Sequence, residues 1–141
     1  MSRIFWDTML FVYWFEDNPQ FGPQVEKVYS RMRERGDRLI TSALAVGESL
    51  VLPYKSNASE TAERIQRFFD GPLVEVLPFT HDAARHYARI RARLTIRPPD
   101  AVHLACAATA GTDLFLTNDA SLVGKNVAGI HFIAGLNTDL F

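Results

Sequence analysis

Arg3-Ile4-Phe5-Trp6-Asp7, near the start of the chain, has the pattern of a buried strand that ends at an acidic residue. The apolar stretch that follows predicts a helix over Thr8–Glu16, and Asn18-Pro19 breaks that helix. A buried strand that leads directly into a helix is a building unit of α/β folds. The fold class therefore depends on whether this unit repeats along the chain.

Strand-like and helix-like segments do alternate along the rest of the sequence. The predicted strands are Arg38–Thr41, Leu73–Leu77, Leu114–Thr117 and Ile130–Ile133. The predicted helices run from about Pro23 to Arg35, from Ala43 to about Leu52, over Ser59–Asp70, over Thr80–Leu94, and from Pro98 to Gly111. Because helical crossovers join parallel strands, the sequence predicts an α/β fold with a mainly parallel sheet covered by helices on both faces.

The composition predicts a single domain over residues 1–141. Hydrophobic residues make up 48% of the chain and the net charge is −1. With so little net charge, binding of an anionic polymer must depend on local patches or metal ions. The only cysteine, Cys106, excludes an internal disulfide and a multi-cysteine zinc site, so we expect a cytoplasmic protein. Asp7 interrupts the N-terminal apolar run before it reaches membrane-spanning length, so we expect no membrane association.

Two acids directly follow predicted strands. Asp7 ends the first strand, and Asp119 follows the strand Leu114–Thr117. Ligands of open parallel sheets bind beyond the carboxyl ends of the strands, so both positions suit a functional site. Each acid also has an ordinary structural explanation, because aspartate is a good helix N-cap at Asp7 and a good turn residue at Asp119.

Two further acids lie on helices that pack against the sheet. The neighbours of Glu48 at three and four residues are all apolar: Leu44, Ala45, Val51 and Leu52. A carboxylate in the middle of an apolar face is costly unless something compensates its charge, such as a metal. The structural explanations are that Glu48 reaches a nearby arginine or lies at the edge of the face. Asp100 opens a helix that is apolar nearly all round, and it either interacts with the helix dipole or faces the same site as the other acids.

Asp7, Glu48, Asp100 and Asp119 together form a pattern that none of them forms alone. Carboxylate oxygens are the ligands that hard divalent cations prefer. Four acids in one cleft repel each other unless metal neutralises them, so this chemistry asks for Mg²⁺ or Mn²⁺. Such ions activate water and clamp the attacking and leaving oxygens of a phosphodiester. The four acids are therefore the candidate catalytic metal ligands.

The order of the motifs resembles that of the PIN-domain nucleases, and among them the VapC-like toxins of type II toxin–antitoxin pairs. The matching segments span nearly the whole chain. They are Ile4-Phe5-Trp6-Asp7-Thr8, Thr41-Ser42-Ala43-Leu44-Ala45-Val46-Gly47-Glu48, Asp100-Ala101-Val102-His103-Leu104-Ala105 and Leu116-Thr117-Asn118-Asp119. One departure is that Ala120, Ser121 and Leu122 follow Asp119, where relatives often carry a further acid.

The resemblance implies a five-stranded parallel sheet in a three-layer α/β/α sandwich. It implies that Asp7, Glu48, Asp100 and Asp119 hold Mg²⁺ or Mn²⁺, and that the reaction is hydrolysis of an RNA phosphodiester by metal-activated water. It also implies that Thr8, Thr117 and Asn118 line the pocket. The partners it implies are an RNA substrate, a second copy of the chain in a homodimer, and a small antitoxin protein whose tail occupies the cleft.

Two basic rows are open to two explanations. Arg85, Arg89 and Arg93 line one face of the helix Thr80–Leu94, and Lys27, Arg31 and Arg35 line one face of the second helix. A solvated helix face is the simpler explanation of each row, and a phosphate track or a site for an acidic partner is the functional one. Between the two rows, we take that of Arg85, Arg89 and Arg93 as the candidate contact to RNA.

Other features leave alternatives open. The segment Met9–Phe15 is apolar on every side, so this helix is either fully buried or partly covered by another chain such as an antitoxin. His103 is expected to be a packed, hydrogen-bonded histidine, or else a contact to the acids or the substrate. The same acids would also serve another metal-dependent phosphohydrolase or a DNA nuclease. A non-catalytic interaction module with PIN-like architecture is the alternative outside enzymes.

Overall fold

Five strands form one sheet in the computed structural model, which describes residues 1–138. The strands are β1 (Arg3–Trp6), β2 (Arg38–Ser42), β3 (Glu75–Leu77), β4 (Thr112–Thr117) and β5 (Ile130–Gly135). Their order across the sheet is β3-β2-β1-β4-β5, and every neighbouring pair is parallel. The prediction of a five-stranded, mainly parallel sheet is confirmed.

Six helices connect the strands over residues 1–138. They are α1 (Thr8–Phe15), α2 (Gly22–Arg35), α3 (Ala43–Lys55), α4 (Ser59–Asp70), α5 (His81–Arg93) and α6 (Pro98–Ala110). Side-chain hydroxyls cap α3 and α5 at their N-termini, since Ser42 and Thr80 each accept a hydrogen bond from a backbone N–H of the first turn.

The central strand β1 shows why the fold has three layers. Its side chains alternate between the two faces of the sheet. Ile4 and Trp6 pack into a core formed with α1, α2 and α4, whereas Phe5 packs into a second core formed with α5 and α6. Helices therefore cover both faces, which explains why the strand is apolar without interruption.

The direction in which the chain moves across the sheet reverses beside β1. From β1 the chain passes through β2 to the edge strand β3, and then crosses to β4 on the other side of β1. In parallel sheets, a crevice opens at such a reversal, beyond the carboxyl ends of the two strands involved. β1 and β4 are those strands, and Asp7 and Asp119 lie just after them.

The predicted end of α3 is wrong. We expected the helix to end at about Leu52, before Pro53, but it continues to Lys55 with Pro53 inside it. The proline lies in the last turn, so it removes only one helical hydrogen bond. The chain continues to bond beyond it, since Ser56 N donates to Leu52 O at 3.0 Å. The burial of Pro53 keeps the last turn packed on the domain.

The other element boundaries agree with the predictions to within two residues, and α4 spans the predicted range Ser59–Asp70. β3 is shorter than predicted, because its pairing with β2 begins only at Glu75. β4 and β5 are longer, because their ladder extends from Thr112 to Gly135. Among the helices of residues 1–138, none combines the length and apolar content that crossing a lipid bilayer requires.

Candidate metal centre

All four predicted acids line one cavity of about 610 Å³. Each comes from a different part of the fold: Asp7 follows β1, Asp119 follows β4, Glu48 lies on α3, and Asp100 lies in the first turn of α6. The cavity opens at the carboxyl ends of the central strands, as the topology predicts. Residues up to 112 positions apart in the sequence are thus brought to one place by the sheet and its covering helices.

Asp7 is fixed by hydrogen bonds to both of its carboxylate oxygens. Its Oδ1 accepts from the backbone N–H of Thr8 at 2.7 Å, and its Oδ2 accepts from the hydroxyl of Thr117 at 2.8 Å. Asp7 is therefore the N-cap of α1, and it also faces the cavity. The structural explanation is confirmed, and it leaves the predicted functional role open, because capping uses only part of the hydrogen-bonding capacity of a carboxylate.

Glu48 is half-exposed at the rim of the cavity. Its Oε1 accepts hydrogen bonds from the Thr8 hydroxyl at 2.6 Å and from His103 Nε2 at 2.9 Å. The hydrogen bond from His103 is the main reason that the pKa of Glu48 lies below its usual value, although burial acts in the opposite direction. The main compensating partner is thus a histidine, and the charge of Arg97 makes a smaller contribution. The cost of the charge is also smaller than its apolar neighbours suggested, because Leu52 is 57% exposed.

His103 connects Glu48 to the core. The ring is 1% exposed, and its Nδ1 lies 2.7 Å from the Ser42 hydroxyl. Its Nε2 carries a hydrogen, because the neighbouring Glu48 carboxylate and the Thr8 oxygen, whose own hydrogen goes to Glu48, are both acceptors toward it. The expectation of a packed, hydrogen-bonded histidine is confirmed. Ser42, the N-cap of α3, therefore also contacts the histidine ring.

Arg97 is the residue of the site that sequence reasoning missed. Its guanidinium group donates to Asp100 Oδ2 from Nε and Nη2, each at 3.3 Å, and Nη2 lies 4.0 Å from Asp119 Oδ2. Neither of the basic rows identified in the sequence includes Arg97. Its place three residues before Asp100 and directly before Pro98 was the available signal, because a residue at that position starts the same helix.

Asp100 and Asp119 differ in their electrostatic surroundings. Burial and, after it, the nearby charge of Asp7 raise the pKa of Asp100, against the opposing effect of Arg97. Hydrogen bonds from the hydroxyl and backbone N–H of Ser121 lower the pKa of Asp119. Asp119 is thus the turn residue that its sequence position suggested, and its second oxygen remains on the cavity side near Arg97.

The donor chemistry of the cavity fits a hard divalent cation, since carboxylates from four elements line it. The side chains are not preassembled around such an ion: across residues 1–138, no three His, Cys, Asp or Glu side chains form a group that could hold a metal. Arg97 bonds to Asp100, and Thr8 and His103 bond to Glu48. Ion binding therefore requires these carboxylates to turn toward one another, and the assignment of metal ligands stays a prediction.

The predicted substrate contacts divide into three groups. Thr8 and Asn118 line the cavity, and the Asn118 amide donates to the Tyr13 hydroxyl at 3.0 Å. Thr117 is fully buried and acts behind the cavity by holding Asp7. The predicted arginines Arg85, Arg89 and Arg93 lie elsewhere, as Arg85 pairs with Asp82 and the other two line a separate cavity.

Comparison with known proteins identifies the family. The sequence profile of the PIN domain matches residues 4–125, which is most of the chain, and the chain belongs to the PIN domain family. No curated protein matches the sequence.

Several solved structures share the fold at low sequence identity. VapBC2 from Rickettsia felis, bound to a promoter DNA fragment, has a TM-score of 0.68 and 16% identity, over 94% of this chain and 98% of its own. A toxin–antitoxin complex from Klebsiella pneumoniae has the same score and identity over 90% and 94%. VapC20 from Mycobacterium tuberculosis, a sarcin–ricin loop cleaving toxin, has a TM-score of 0.66 and 16% identity over 79% and 86%.

Proposed function

We propose that the protein is a Mg²⁺- or Mn²⁺-dependent endoribonuclease. One observation carries the proposal: Asp7, Glu48, Asp100 and Asp119 line a single cavity at the carboxyl ends of β1 and β4. A cavity with four carboxylates and one arginine attracts cations and not phosphates by itself. A phosphodiester enters it favourably only when divalent metal reverses that local charge, so the acids and the metal are required together.

The residues around the cavity have separable roles in the proposed reaction. Bound Mg²⁺ or Mn²⁺ would polarise a phosphodiester oxygen and activate the attacking water. Asp7, Glu48 and Asp100 would hold the ion, and Asp119 would complete the site. Thr8 and His103 orient Glu48 through its Oε1, and Thr117 orients Asp7. Arg97 offsets the acidic charge while no cation is bound, and it is placed to contact a phosphate once the carboxylates turn to metal.

We further propose that the protein is the toxin of a toxin–antitoxin pair. Solved structures with its fold include two toxin–antitoxin complexes and a toxin that cleaves the sarcin–ricin loop. Apolar side chains of α1 and α3 are exposed, with Met9 at 43% and Leu52 at 57%, and an antitoxin would cover them. A homodimer stays a prediction that sedimentation of the purified protein tests.

The experiment is a comparison of three substrates with the purified protein. Single-stranded RNA, single-stranded DNA and a small phosphomonoester are incubated with Mg²⁺, with Mn²⁺ and with a chelator. We expect internal cleavage of RNA only with metal, and a loss of roughly 100-fold or more in Asp7→Asn. Asp82→Asn is the matched control, because Asp82 is an exposed aspartate on α5 outside the cavity. Metal-dependent cleavage of DNA or of the monoester instead would reassign the substrate.

A second candidate function is a non-catalytic interaction module. Two findings favour it. Within residues 1–138, no three His, Cys, Asp or Glu side chains are grouped so that they could hold a metal, and Arg97 donates a hydrogen bond to Asp100. For such a module, no metal would yield cleavage of any of the three substrates, and Asp7→Asn would leave partner binding unchanged. Cleavage that needs both metal and Asp7 rules this candidate out.

A further inference from the structure

A second cavity, of about 240 Å³, lies between α5 and residues 126–128. From α5 and its C-terminal end, one histidine, two arginines and two apolar side chains line this cavity. Residues 126–128 add an asparagine and two apolar residues. The lining residues are His86, Arg89, Ile90, Arg93, Leu94, Asn126, Val127 and Ala128. We call this cavity the α5 groove. It is smaller than pockets that enclose drug-sized ligands, which measure roughly 300–1,000 Å³, so it can hold only part of a larger ligand such as a polymer.

The two arginines of the α5 groove differ from the other arginines of the same region. Arg85 pairs with Asp82 at 2.7 Å, Arg91 donates to the Tyr87 hydroxyl at 3.1 Å, and Arg97 bonds to Asp100. Within residues 1–138, the side chains of Arg89 and Arg93 have no hydrogen bond or ion pair. Both guanidinium groups therefore keep all their donors available for a ligand.

The floor of the α5 groove is apolar, which separates it from a simple solvated row of arginines. Ile90 and Val127 are buried, and Leu94 is partly buried. Cationic donors above an apolar floor match a nucleotide, which has an anionic phosphate and an apolar sugar or base face. The planar donors of arginine also suit phosphate oxygens better than a point charge does.

The charge of the whole chain explains why a separate site for phosphate would be needed. The chain has a net charge of −1, and the catalytic cavity is lined by four acids. Residues 80–97, in contrast, contain five arginines and a single aspartate. An RNA strand is thus repelled at the acids until metal binds, and it is attracted along α5.

We propose that the α5 groove is a phosphodiester-binding site for the RNA strand that the acidic cavity cleaves. Arg89 and Arg93 bind one or two phosphates outside the scissile bond, and the apolar floor contacts the adjoining nucleoside. The inference rests on the proposed function for its ligand, because it takes RNA as the substrate. Arg85, which was predicted as part of the same RNA contact, does not line the groove and pairs with Asp82 instead.

The test compares two double variants of α5 with the same change in charge. Arg89→Gln/Arg93→Gln removes both groove arginines, whereas Arg85→Gln/Arg91→Gln removes two arginines of the same helix that lie outside the groove. Binding of a short, labelled single-stranded RNA is measured by fluorescence anisotropy with a chelator present, so that no cleavage occurs. The measurement is repeated over a range of salt concentrations, and melting curves confirm that all variants are folded.

We expect the groove variant to bind the RNA about tenfold more weakly at low salt, and the control variant to stay within about twofold of the unmodified chain. The slope of log affinity against log salt should fall by about 0.7 in the groove variant if the arginines bind one phosphate and by about 1.4 if they bind two, since each phosphate contact on single strands contributes roughly 0.7. Equal losses in the two variants would mean that only net charge matters, and would overturn the proposal. Unchanged RNA binding with altered self-association would assign the groove to a second copy of the chain, and would overturn it too.

The same proteins separate this inference from the proposed function. If the unmodified chain cleaves RNA with metal and the two double variants bind RNA equally, the proposed role of the α5 groove is wrong and the proposed nuclease activity is supported. If the unmodified chain cleaves nothing, yet only the groove variant loses RNA binding, the proposed nuclease activity is wrong and the α5 groove is supported as an RNA-binding site.

Discussion

Glu48 is an acid of the site whose charged form the surrounding residues stabilise by hydrogen bonds. Two hydrogen bonds converge on its Oε1, from Thr8 and from His103. The sequence identified Glu48 through its apolar neighbours, which made a carboxylate conspicuous there. It could not identify the partners, because Thr8 and His103 are 40 and 55 positions away and reach Glu48 only through the packing of α1 and α6 on α3.

His103→Ala should raise the pKa of Glu48 toward its ordinary value of 4.5. The pKa in the folded protein is lowered, so the ionised carboxylate stabilises the fold above pH 4.5, and this contribution is lost as the pH falls through the folded pKa. Because the two pKa values of Glu48, folded and unfolded, lie closer together in His103→Ala, this variant should lose less stability than the unmodified chain as the pH falls below 4.5. Carboxyl chemical shifts followed by NMR titration measure the pKa, and urea unfolding at several pH values measures the stability.

His103→Gln is the control for this prediction. Its side-chain amide keeps a donor for Glu48, so the pKa of Glu48 should stay lower than in His103→Ala. The same pKa in the unmodified chain and in His103→Ala would show that His103 does not hold the Glu48 carboxylate.

At the scale of elements, α6 carries both Asp100 and His103, so the way α6 packs against the sheet sets the positions of both side chains in the site. Its C-terminal turn lies directly against the start of β5. A Cβ added to Gly129, which has a φ of 97°, would lie 2.5 Å from the backbone oxygen of Ala108. Glycine is required there both because the backbone approaches so closely and because other residues rarely adopt that φ.

Gly129→Ala should lower the free energy of unfolding by about 3 kcal/mol, because backbone clash and strained φ add together. Gly111→Ala is the matched control: Gly111 caps the same helix with a φ of 70°, but nothing lies within 4 Å of an added Cβ. It should cost only about 1 kcal/mol, from the left-handed backbone alone. Urea denaturation of both variants gives the comparison, and equal losses would show that α6 and β5 tolerate a shift.

The elements themselves could largely be predicted from the sequence, whereas their ends could not. The apolar run of β1 and the glycine and proline residues between segments marked the alternation of strands and helices. Pro53 misled, because a proline that is buried in a last turn can stay inside a helix when tertiary packing holds that turn. The lengths of β3 and β4 depend on where neighbouring strands begin to pair, which no local pattern records.

At the scale of the whole molecule, the fold brings four distant acids to one cavity, and the sequence predicted all four. Their ordered spacing, which resembles that of PIN-domain nucleases, carried that prediction. The electrostatic state of the cavity was not predictable in the same way. Arg97 reaches Asp100 and approaches Asp119 only because α6 begins at the edge where β4 ends, so a cation of the chain itself lies where metal is expected.

The central claim is that the carboxylates of the cavity coordinate a divalent cation. Diffraction from a crystal soaked in Mn²⁺, with the metal located by its anomalous signal, tests this claim most directly. We predict a peak inside the cavity at about 2.0–2.6 Å from carboxylate oxygens of Asp7 and of at least two of Glu48, Asp100 and Asp119, with Arg97 moved off Asp100. An empty cavity at saturating Mn²⁺, with Arg97 still bonded to Asp100, would contradict the account.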